Sequence, residues 1–245
     1  MNAFGMTDIG LQRRENQDTY AIARCGQPER LVAVVCDGMG GANGGSVASR
    51  LAVDAFCTEL SERLCPDMTA QALHDALGVS TAKANRAIYE RAQADFTLRG
   101  MGTTLVAAVI EGERATVCNV GDSRAYRIGA DGITRITRDH SVVEEMIERG
   151  EITPAQARIH PNRNIITRAL GPDEAVACDC FDLTLREGEK LLLCSDGLIV
   201  ALEDDEILSV VQSSADPQDC VHTLIERTKQ YGAPDNVTVV LVEAL

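Results

Sequence analysis

Short runs of consecutive apolar residues alternate along the chain with longer stretches in which apolar residues recur every three or four positions. The run LVAVVC at 31–36 contains no polar residue, which is typical of a strand buried on both faces. The stretch at 45–64 instead places apolar positions 47, 51, 55 and 56 on one side of a helix. These patterns predict strands at 31–36, 103–110, 114–120, 124–128, 133–136, 176–184, 190–194 and 237–243, and helices at 45–64, 69–92, 203–213 and 217–231.

The order of these elements favours an α+β protein in which pairs of helices cover sheet faces, because the alternation is too irregular for a βαβ series. Thr69 is the predicted N-cap of the second helix. Residues 139–170 form a polar segment with Pro154 and Pro161, predicted to be mostly helical. A polar segment of this length between strands is the best candidate for a mobile lid or flap.

The amino-acid composition indicates the make-up of the core and the cellular compartment of the protein. Of 245 residues, 45% are hydrophobic and only 3% aromatic with no Trp, so the core is expected to consist of Ala, Val, Leu and Ile. No apolar run is long enough for a membrane span, and no signal peptide is evident at the N-terminus. The nine cysteines form no CxxC pair, and the four histidines are not spaced with them as zinc ligands. The sequence therefore predicts reduced thiols and a cytoplasmic location.

The formal net charge of −14 argues against a nucleic-acid partner, which would need a basic face. It also makes binding of an anionic substrate difficult unless some of the carboxylates hold cations. Most of the 37 acidic residues are expected to be ordinary solvated surface groups.

Four aspartates have similar local settings that suit such a role. Asp37, Asp122 and Asp196 each adjoin a glycine at a predicted strand end, and Asp235 precedes the last strand. For any one of them, ordinary turn formation is the simpler explanation. Four such residues, with Asp18 near the start of the chain, can instead converge from several strands to hold hard cations such as Mg²⁺ or Mn²⁺.

Two other kinds of site fit the same regions less well. The glycine-rich segment 37–46 lies between a strand and a helix, as a nucleotide-binding loop would, but Asn43 breaks GxGxxG and no Lys completes a P-loop. Ser46 and Ser195 adjoin strand-to-helix turns, but neither lies in GxSxG, and no His is placed to activate either one.

Seven segments resemble, in the same order, the motifs of the metal-dependent protein phosphatases, also called type 2C serine/threonine phosphatases. The resemblance is greatest to the small bacterial members, and it extends over almost the whole chain. Each motif alone is weak, but seven in order with matching aspartates are specific. The segments are TDIGLQRRENQD (7–18), DGMGG (37–41), GMGTTLVAAVI (100–110), VGDSRAYRI (120–128), DHSVVEEMIERGEITPAQARIHPNRNIITRALG (139–171), SDGL (195–198) and PDNVTVVLV (234–242).

The resemblance implies a single phosphatase domain over 1–245, built as an antiparallel β-sandwich flanked on both faces by helix pairs (α-β-β-α layers), with a mobile flap at about 139–164. It also implies residue roles. Asp37 would bridge two metals, and the Gly38 carbonyl would bind the first of them. Asp196 and Asp235 would bind the second metal, and Asp122 together with Asp196 would bind a weaker third. Asp18 would anchor metal-bound waters, and Arg13 would bind the substrate phosphate. A guanidinium suits phosphate because its planar donors match two oxygens.

The activity implied is hydrolysis of phosphoserine and phosphothreonine in proteins by a metal-activated water, with two or three Mn²⁺ or Mg²⁺ ions. The implied partners are phosphoprotein substrates and a cognate Ser/Thr kinase, with no nucleic acid and no membrane, and the protein is expected to be a monomer. Two alternatives share the same residues: a phosphatase-like binding module without activity, and a hydrolase of small phosphoesters.

Several positions depart from the family pattern. Gln17 replaces a common Glu, Ala42 and Ser46 replace the His and Glu of many bacterial members, and Met39 replaces the His proposed as general acid in animal members. Arg14 is expected to be a solvated neighbour of Arg13.

Three further side chains are interpreted without a catalytic role. His140 and His160 are expected to form local hydrogen bonds, not to ligate metal. Met101, like Met39, is interpreted as a packing residue.

Overall fold

Two antiparallel β-sheets packed face to face form the centre of the computed structural model, which describes residues 1–26 and 28–244 and, of residues 41–43, only the backbone. All the predicted strands and helices are present. The strands are β1 (Asn2–Asp8), β2 (Asp18–Cys25), β3 (Arg30–Met39), β4 (Gly102–Thr103), β5 (Leu105–Glu111), β6 (Arg114–Val120), β7 (Arg124–Gly129), β8 (Gly132–Arg135), β9 (Asp179–Thr184), β10 (Lys190–Cys194) and β11 (Val237–Glu243). The helices are α1 (Gly41–Arg63), α2 (Ala70–Ala94), α3 (Val142–Glu148), α4 (Pro154–Arg158), α5 (Asp196–Ala201), α6 (Asp204–Ser213) and α7 (Pro217–Gln230), with a 3₁₀ turn at Phe96–Leu98.

The first sheet has the strand order β1-β11-β10-β7-β8, and the second has β2-β3-β5-β6-β9 with β4 added to β3. Neighbouring strands pair antiparallel. Helices α1 and α2 cover the second sheet, and α5, α6 and α7 cover the first. The predicted α+β sandwich between helix layers is therefore confirmed.

The uninterrupted apolar runs result from this layering, because each central strand has two buried faces. In β3, Leu31, Ala33 and Val35 pack between the two sheets. The alternate residues Val32 and Val34 pack under the helices. Strands β10 and β11 divide their side chains between the same two kinds of core.

The helix starts follow local capping chemistry, with one correction. The Thr69 side chain accepts a hydrogen bond from the Ala72 amide at 3.1 Å, so the predicted N-cap of α2 is confirmed. Helix α1, however, begins at Gly41 instead of residue 45, so much of the glycine-rich segment forms its first turn. Ser46 accordingly lies within the helix, and the sequence-based placement of this residue beside a turn was wrong.

The segment 139–170 is largely irregular, which corrects the prediction that it is mostly helical. It contains α3 and α4, of seven and five residues, and otherwise consists of turns. Helix α4 begins with a capping box formed by Thr153 and Gln156. A bridge between Ser141 and Ile166 joins the two ends of the segment at the sandwich.

Four elements were absent from the sequence-based prediction: β1, β2, the 3₁₀ turn at Phe96–Leu98 and the short helix α5. No helix among the described residues is long and apolar enough to cross a membrane. The nine cysteines are all free thiols, four of them buried.

Candidate active site

A cleft of about 450 Å³ opens at one end of the sandwich and collects most of the predicted site residues. Six of the seven line it: Arg13, Asp37, Gly38, Asp122, Asp196 and Asp235. The seventh, Asp18, is not part of the lining but is buried close by, and it pairs with Asp37 across β2 and β3. Residues separated by up to 222 positions, as Arg13 and Asp235 are, thus meet at one place.

Asp37 is held by strand β2 on one side, through its pairing with Asp18, and by Thr104 on the other. Its amide donates to Thr104 Oγ1, and its carbonyl accepts from the Thr104 amide, each at 2.9 Å. Because β4 pairs with Gly38 and Met39, strand β3 continues beyond Asp37. The prediction that Asp37 lies at the end of the strand is corrected by this short extra pairing.

Gly38 has no room for a side chain. A Cβ there would lie 2.1 Å from the Gly45 carbonyl oxygen and 2.6 Å from that of Gln17. The Gly38 amide donates to the same Gln17 oxygen at 3.1 Å. The backbone of Gly38 therefore reaches the cleft only because this residue is a glycine.

The other three aspartates are placed by the connections that follow or precede strands. Asp122 lies in the turn between β6 and β7, Asp196 is the first residue of α5, and Asp235 lies just before β11. The turn carrying Asp122 depends on Gly121, whose φ of +102° and close approach to Thr104 leave no space for a Cβ. All three carboxylates are thereby attached to the rigid sandwich.

His140 supports the Asp122 turn. Its Nδ1 accepts from the Gly121 amide at 2.9 Å, and its Nε2 contacts Asp179 at 3.1 Å. His160 Nδ1 accepts from the Asn162 amide at 3.1 Å. The expectation of local hydrogen bonds is confirmed for His160, whereas the partners of His140 lie 19 and 39 residues away along the chain.

Asp18 is held below the surface by two hydroxyls. Its Oδ2 accepts from Ser195 Oγ at 2.8 Å and from Thr238 Oγ1 at 2.7 Å, while Oδ1 is buried without a hydrogen-bond partner. Ser195 is fully buried and committed to these contacts, which removes the basis for a serine nucleophile there.

The cleft and its surroundings bring several carboxylates together in a buried environment, which shifts their pKa values upward. Burial, followed by repulsion from neighbouring carboxylates, raises the pKa of Asp37 well above its usual value and that of Asp122 to about 8. The same two causes raise the pKa of Asp196 to about 6, and burial raises that of Asp18 to about 7. Positive charge in the cleft would relieve this repulsion.

The donor set fits hard divalent cations. Carboxylate and carbonyl oxygens are their preferred ligands, and the buried Oδ1 of Asp196 has no hydrogen-bond partner. Among the described residues, no three His, Cys, Asp or Glu side chains are gathered tightly enough to hold one ion. A cation of the magnesium type, which commonly takes one or two carboxylates and keeps several waters, suits this looser arrangement.

Arg13 contributes the main cationic group at the mouth of the cleft. Its Nη2 donates to Asp235 Oδ2 at 2.5 Å, with the arginine side chain about half exposed. Arg14 is exposed and does not line the cleft, as expected. The sequence did not indicate that the predicted phosphate-binding residue would pair with a predicted metal ligand.

The positions that depart from the family pattern lie in or near the cleft. Gln17 and Met39 line it, and Ser46 Oγ donates to Glu15 Oε1 at 2.6 Å. Met101 is fully buried, which confirms its packing role. The expectation for Ala42 lies outside the described side chains.

Two supporting residues were missed from the sequence. Asn236 Oδ1 accepts from the Gln17 amide, and its Nδ2 donates to the carbonyls of Ile9 and Glu15, so it holds the loop that carries Arg13. Thr104, besides bonding Asp37, lies 2.7 Å from Ser123 Oγ. Asn236 directly follows Asp235, but Asn beside a turn gives no specific signal.

Asn164, at the end of the predicted flap, and Ile166, just beyond it, line the cleft. The same segment also forms one wall of an adjoining groove of about 670 Å³, which shares Asp122, Asn164 and Asp196 with the cleft. Part of 139–164 therefore lies beside the cleft, and its role as a mobile flap stays a prediction.

The chain is similar to known phosphatases over almost its whole length. Residues 12–241 match the family described as protein phosphatase 2C. A serine/threonine phosphatase, stp, of Listeria innocua is 35% identical over 99% of this chain and 96% of its own length.

Solved structures share the fold as well as the sequence. The S. agalactiae serine/threonine phosphatase is 33% identical, with a TM-score of 0.91 over 100% of this chain and 99% of that one. The catalytic domain of the phosphatase PstP, solved in complex with two manganese ions, is 33% identical, with a TM-score of 0.86 over 99% and 97% of the two chains. The acidic cleft, the layered sandwich and these matches together show that the chain belongs to the protein phosphatase 2C family and is a bacterial, metal-dependent protein serine/threonine phosphatase acting on phosphoproteins.

Proposed function

We propose that the phosphatase holds two divalent cations, Mn²⁺ or Mg²⁺, in the cleft, with a third bound more weakly. The observation that carries this proposal is the convergence of Asp37, Asp122, Asp196 and Asp235 in one cleft. Asp37 and the Gly38 carbonyl would hold the first cation, and Asp196 and Asp235 the second, with Asp37 shared between them. Asp122 with Asp196 would hold the third, and Asp18 would orient waters around the site.

Bound divalent cations supply Lewis-acid activation of water and neutralise phosphoryl charge. The chain itself supplies binding and orientation. Arg13 would donate from its guanidinium to the phosphate oxygens and so stabilise the charge that develops on them. Met39 carries no transferable proton, so the side chain at this position provides no general acid for the departing seryl or threonyl oxygen.

We propose that the enzyme removes the phosphate groups that a cognate Ser/Thr kinase adds. It would do so in the cytoplasm, as a monomer with a single domain over 1–245, and it would bind neither nucleic acid nor membranes. Nine free cysteines are what a reducing compartment favours. A net charge of −14 opposes binding to nucleic acid and to anionic lipid surfaces.

The direct test is hydrolysis of matched phosphothreonine and phosphotyrosine peptides by metal-stripped protein, with and without added Mn²⁺ or Mg²⁺. We expect Mn²⁺-dependent release of phosphate from the phosphothreonine peptide and much slower release from phosphotyrosine. Calorimetric titration with Mn²⁺ should give two strong sites and one weak site. A single binding event, or equal rates on the two peptides, would contradict the proposal.

Replacing Arg13 by Ala should separate phosphate binding from metal binding. Charge-assisted hydrogen bonds to phosphate are worth roughly 1.5–3 kcal/mol, so kcat/KM should fall about 10- to 150-fold. Mn²⁺ affinity should be kept or slightly increased, because Arg13 binds Asp235 in the structure and its loss frees that carboxylate. Arg14→Ala, which removes an exposed neighbouring arginine, is the matched control. Loss of metal affinity in Arg13→Ala comparable to that in Asp37→Asn would disprove this division of roles.

Shortening the flap should affect protein substrates more than small ones. Residues 150–159 can be replaced by a short linker that keeps the Ser141–Ile166 bridge and the contact between Arg13 and Asp235. We expect a larger fall in kcat/KM on phosphopeptides than on a small aryl phosphate, because only the peptide is long enough to contact the flap. Equal losses on both substrates, with an unchanged circular dichroism spectrum, would exclude this role.

A further inference from the structure

The groove beside the active-site cleft has the size and position to hold the chain that flanks the phosphorylated residue. It measures about 670 Å³ and shares three lining residues with the cleft, Asp122, Asn164 and Asp196. A peptide whose phosphate lies in the cleft therefore enters the groove without crossing a barrier of protein. Helix α5 starts at Asp196 in the cleft and continues along one wall of the groove through Val200.

Part of the groove lining is apolar. Its lining includes Ile147 and Pro154 of the flap and Ile199 and Val200 of α5. Val200 is 44% exposed, although it lies on a helix that packs against the sandwich. An apolar substrate side chain placed here would cover this surface and be removed from water itself.

The groove also carries negative charge that internal ion pairs do not neutralise. Within the groove, Arg124 pairs with Asp139, Arg135 with Glu144 and Arg158 with Glu203. Asp204 and Asp205, at the start of α6, line the groove, are exposed and have no ion pair within residues 1–26 and 28–244. Their negative charge is therefore available to a ligand. The one groove arginine without an ion pair in that range, Arg163, is adjacent to Asn164 and so belongs to the end near the cleft.

The rise of α5 gives the distance from Asp196 to the apolar part of the groove. Val200 follows Asp196 by four residues, a rise of about 6 Å, which an extended peptide covers in about two residues. Asp204 and Asp205 follow Val200 by four and five residues, across Leu202 and Glu203, whose backbone is extended, so the helix rise does not extend to them. Because both aspartates line the groove but not the cleft, we expect a cation that reaches them to lie beyond the apolar side chain, one or two further residues along an extended peptide at about 3.3 Å each.

We propose that this groove selects phosphoprotein segments with an apolar side chain about two residues, and a Lys or Arg about three or four residues, from the phosphorylated Ser or Thr. Ile199 and Val200 contact the apolar side chain, and Asp204 and Asp205 attract the cation. The inference rests on the proposed function, because it requires the phosphate to occupy the aspartate cleft. It goes further in naming the class of sequence that the enzyme prefers.

The test is steady-state hydrolysis of a phosphothreonine peptide series with Mn²⁺ present. Each peptide has Leu or Ser two residues away, and Lys or Glu three and four residues away, on the N-terminal or the C-terminal side. On one of the two sides, Lys should give a kcat/KM about twofold to thirtyfold above Glu, as one or two exposed ion pairs would produce. The difference should shrink at about 0.5 M salt, where screening acts within a few ångströms.

Two variants assign the preference to the groove. Asp204→Asn with Asp205→Asn should reduce the Lys preference severalfold, and Val200→Ser should reduce the preference for Leu at least about threefold. Asp54→Asn with Glu62→Gln, and Val79→Ser, make the same chemical changes on exposed positions of α1 and α2, and these controls should leave both preferences intact. Hydrolysis of a small aryl phosphate should be unchanged in all four proteins.

Equal rates for Lys and Glu peptides on both sides would overturn the inference. So would an unaltered preference in the Asp204 and Asp205 variant. Either result, with Mn²⁺-dependent hydrolysis still present, would leave the proposed metal site standing. Failure of the proposed site itself would appear differently, as wild-type protein that hydrolyses neither peptide nor aryl phosphate when Mn²⁺ is bound.

Discussion

Asp37→Asn is expected to abolish turnover and to weaken Mn²⁺ binding severely while leaving the protein folded. The amide keeps the shape of the carboxylate but removes the charge that the proposal shares between two cations. Loss of outer-shell partners alone commonly costs about 10- to 100-fold in metal affinity or activity. Loss of a direct ligand charge should therefore lower kcat/KM by more than about 100-fold.

The same variant should not destabilise the metal-free fold. Burial and four neighbouring carboxylates, those of Asp18, Asp196, Asp122 and Asp235, raise the pKa of Asp37 well above its usual value. Removing this acid relieves repulsion, so the melting temperature of the metal-free variant should equal or exceed that of the wild type. Calorimetric Mn²⁺ titration, kinetics and thermal melting separate these effects.

Two comparison variants make the result specific. Asp122→Ala should leave the two strong cations in place and weaken only the third, because Asp122 contributes to that one in the proposal. Asp54→Asn changes an exposed acid on α1 and should have no effect. Wild-type turnover in Asp37→Asn would mean that the metal centre has been assigned to the wrong residues.

The fold was predictable where the packing of an element determines the pattern of apolar residues in its own sequence. Strand β3 reads as an unbroken apolar run because its alternate residues enter two different cores. Strands β1 and β2 were missed because their side chains are mostly half-buried and their sequences are mixed. Gly5 in β1 resembles a loop residue, yet its carbonyl accepts from the Tyr20 hydroxyl at 2.8 Å, and a Cβ there would lie 2.6 Å from that ring. Such a requirement arises only when the two strands are together.

The candidate site was predictable in its charged residues but not in its supports. The aspartates beside glycines after apolar runs, Asp37, Asp122 and Asp196, are visible in the sequence, and they line the cleft together with Asp235, whereas Asp18 is buried close by. Asn236 and Thr104 act through backbone hydrogen bonds to segments up to 227 residues away. Nothing in their local sequence distinguishes them from ordinary turn and strand residues. The Arg13–Asp235 pair likewise depends on long-range geometry.

Removal of divalent cations should abolish activity and lower stability, and both should return on addition of Mn²⁺ or Mg²⁺. Carboxylates, carbonyls and Arg13 leave water at its ordinary pKa of about 15.7, far from a nucleophile at neutral pH. The metal-free protein must also keep Asp37, Asp122 and Asp196 buried together, which is why burial and mutual repulsion raise their pKa values. Cation binding to the folded state alone, at about 100 times its Kd, adds about 2.7 kcal/mol.

For a chain of this length, that gain corresponds to a rise in Tm of about 5–11 °C. The measurement is a phosphothreonine-peptide assay beside thermal melting of exhaustively chelated protein, with elemental analysis to confirm that metal is absent. Asp37→Asn is the internal reference, because its Tm should respond far less to Mn²⁺ than that of the wild type. Full activity in metal-free protein would disprove the mechanism. Activity that requires metal without a rise in Tm would show that the cations bind with the substrate and not at a site built by the folded aspartates.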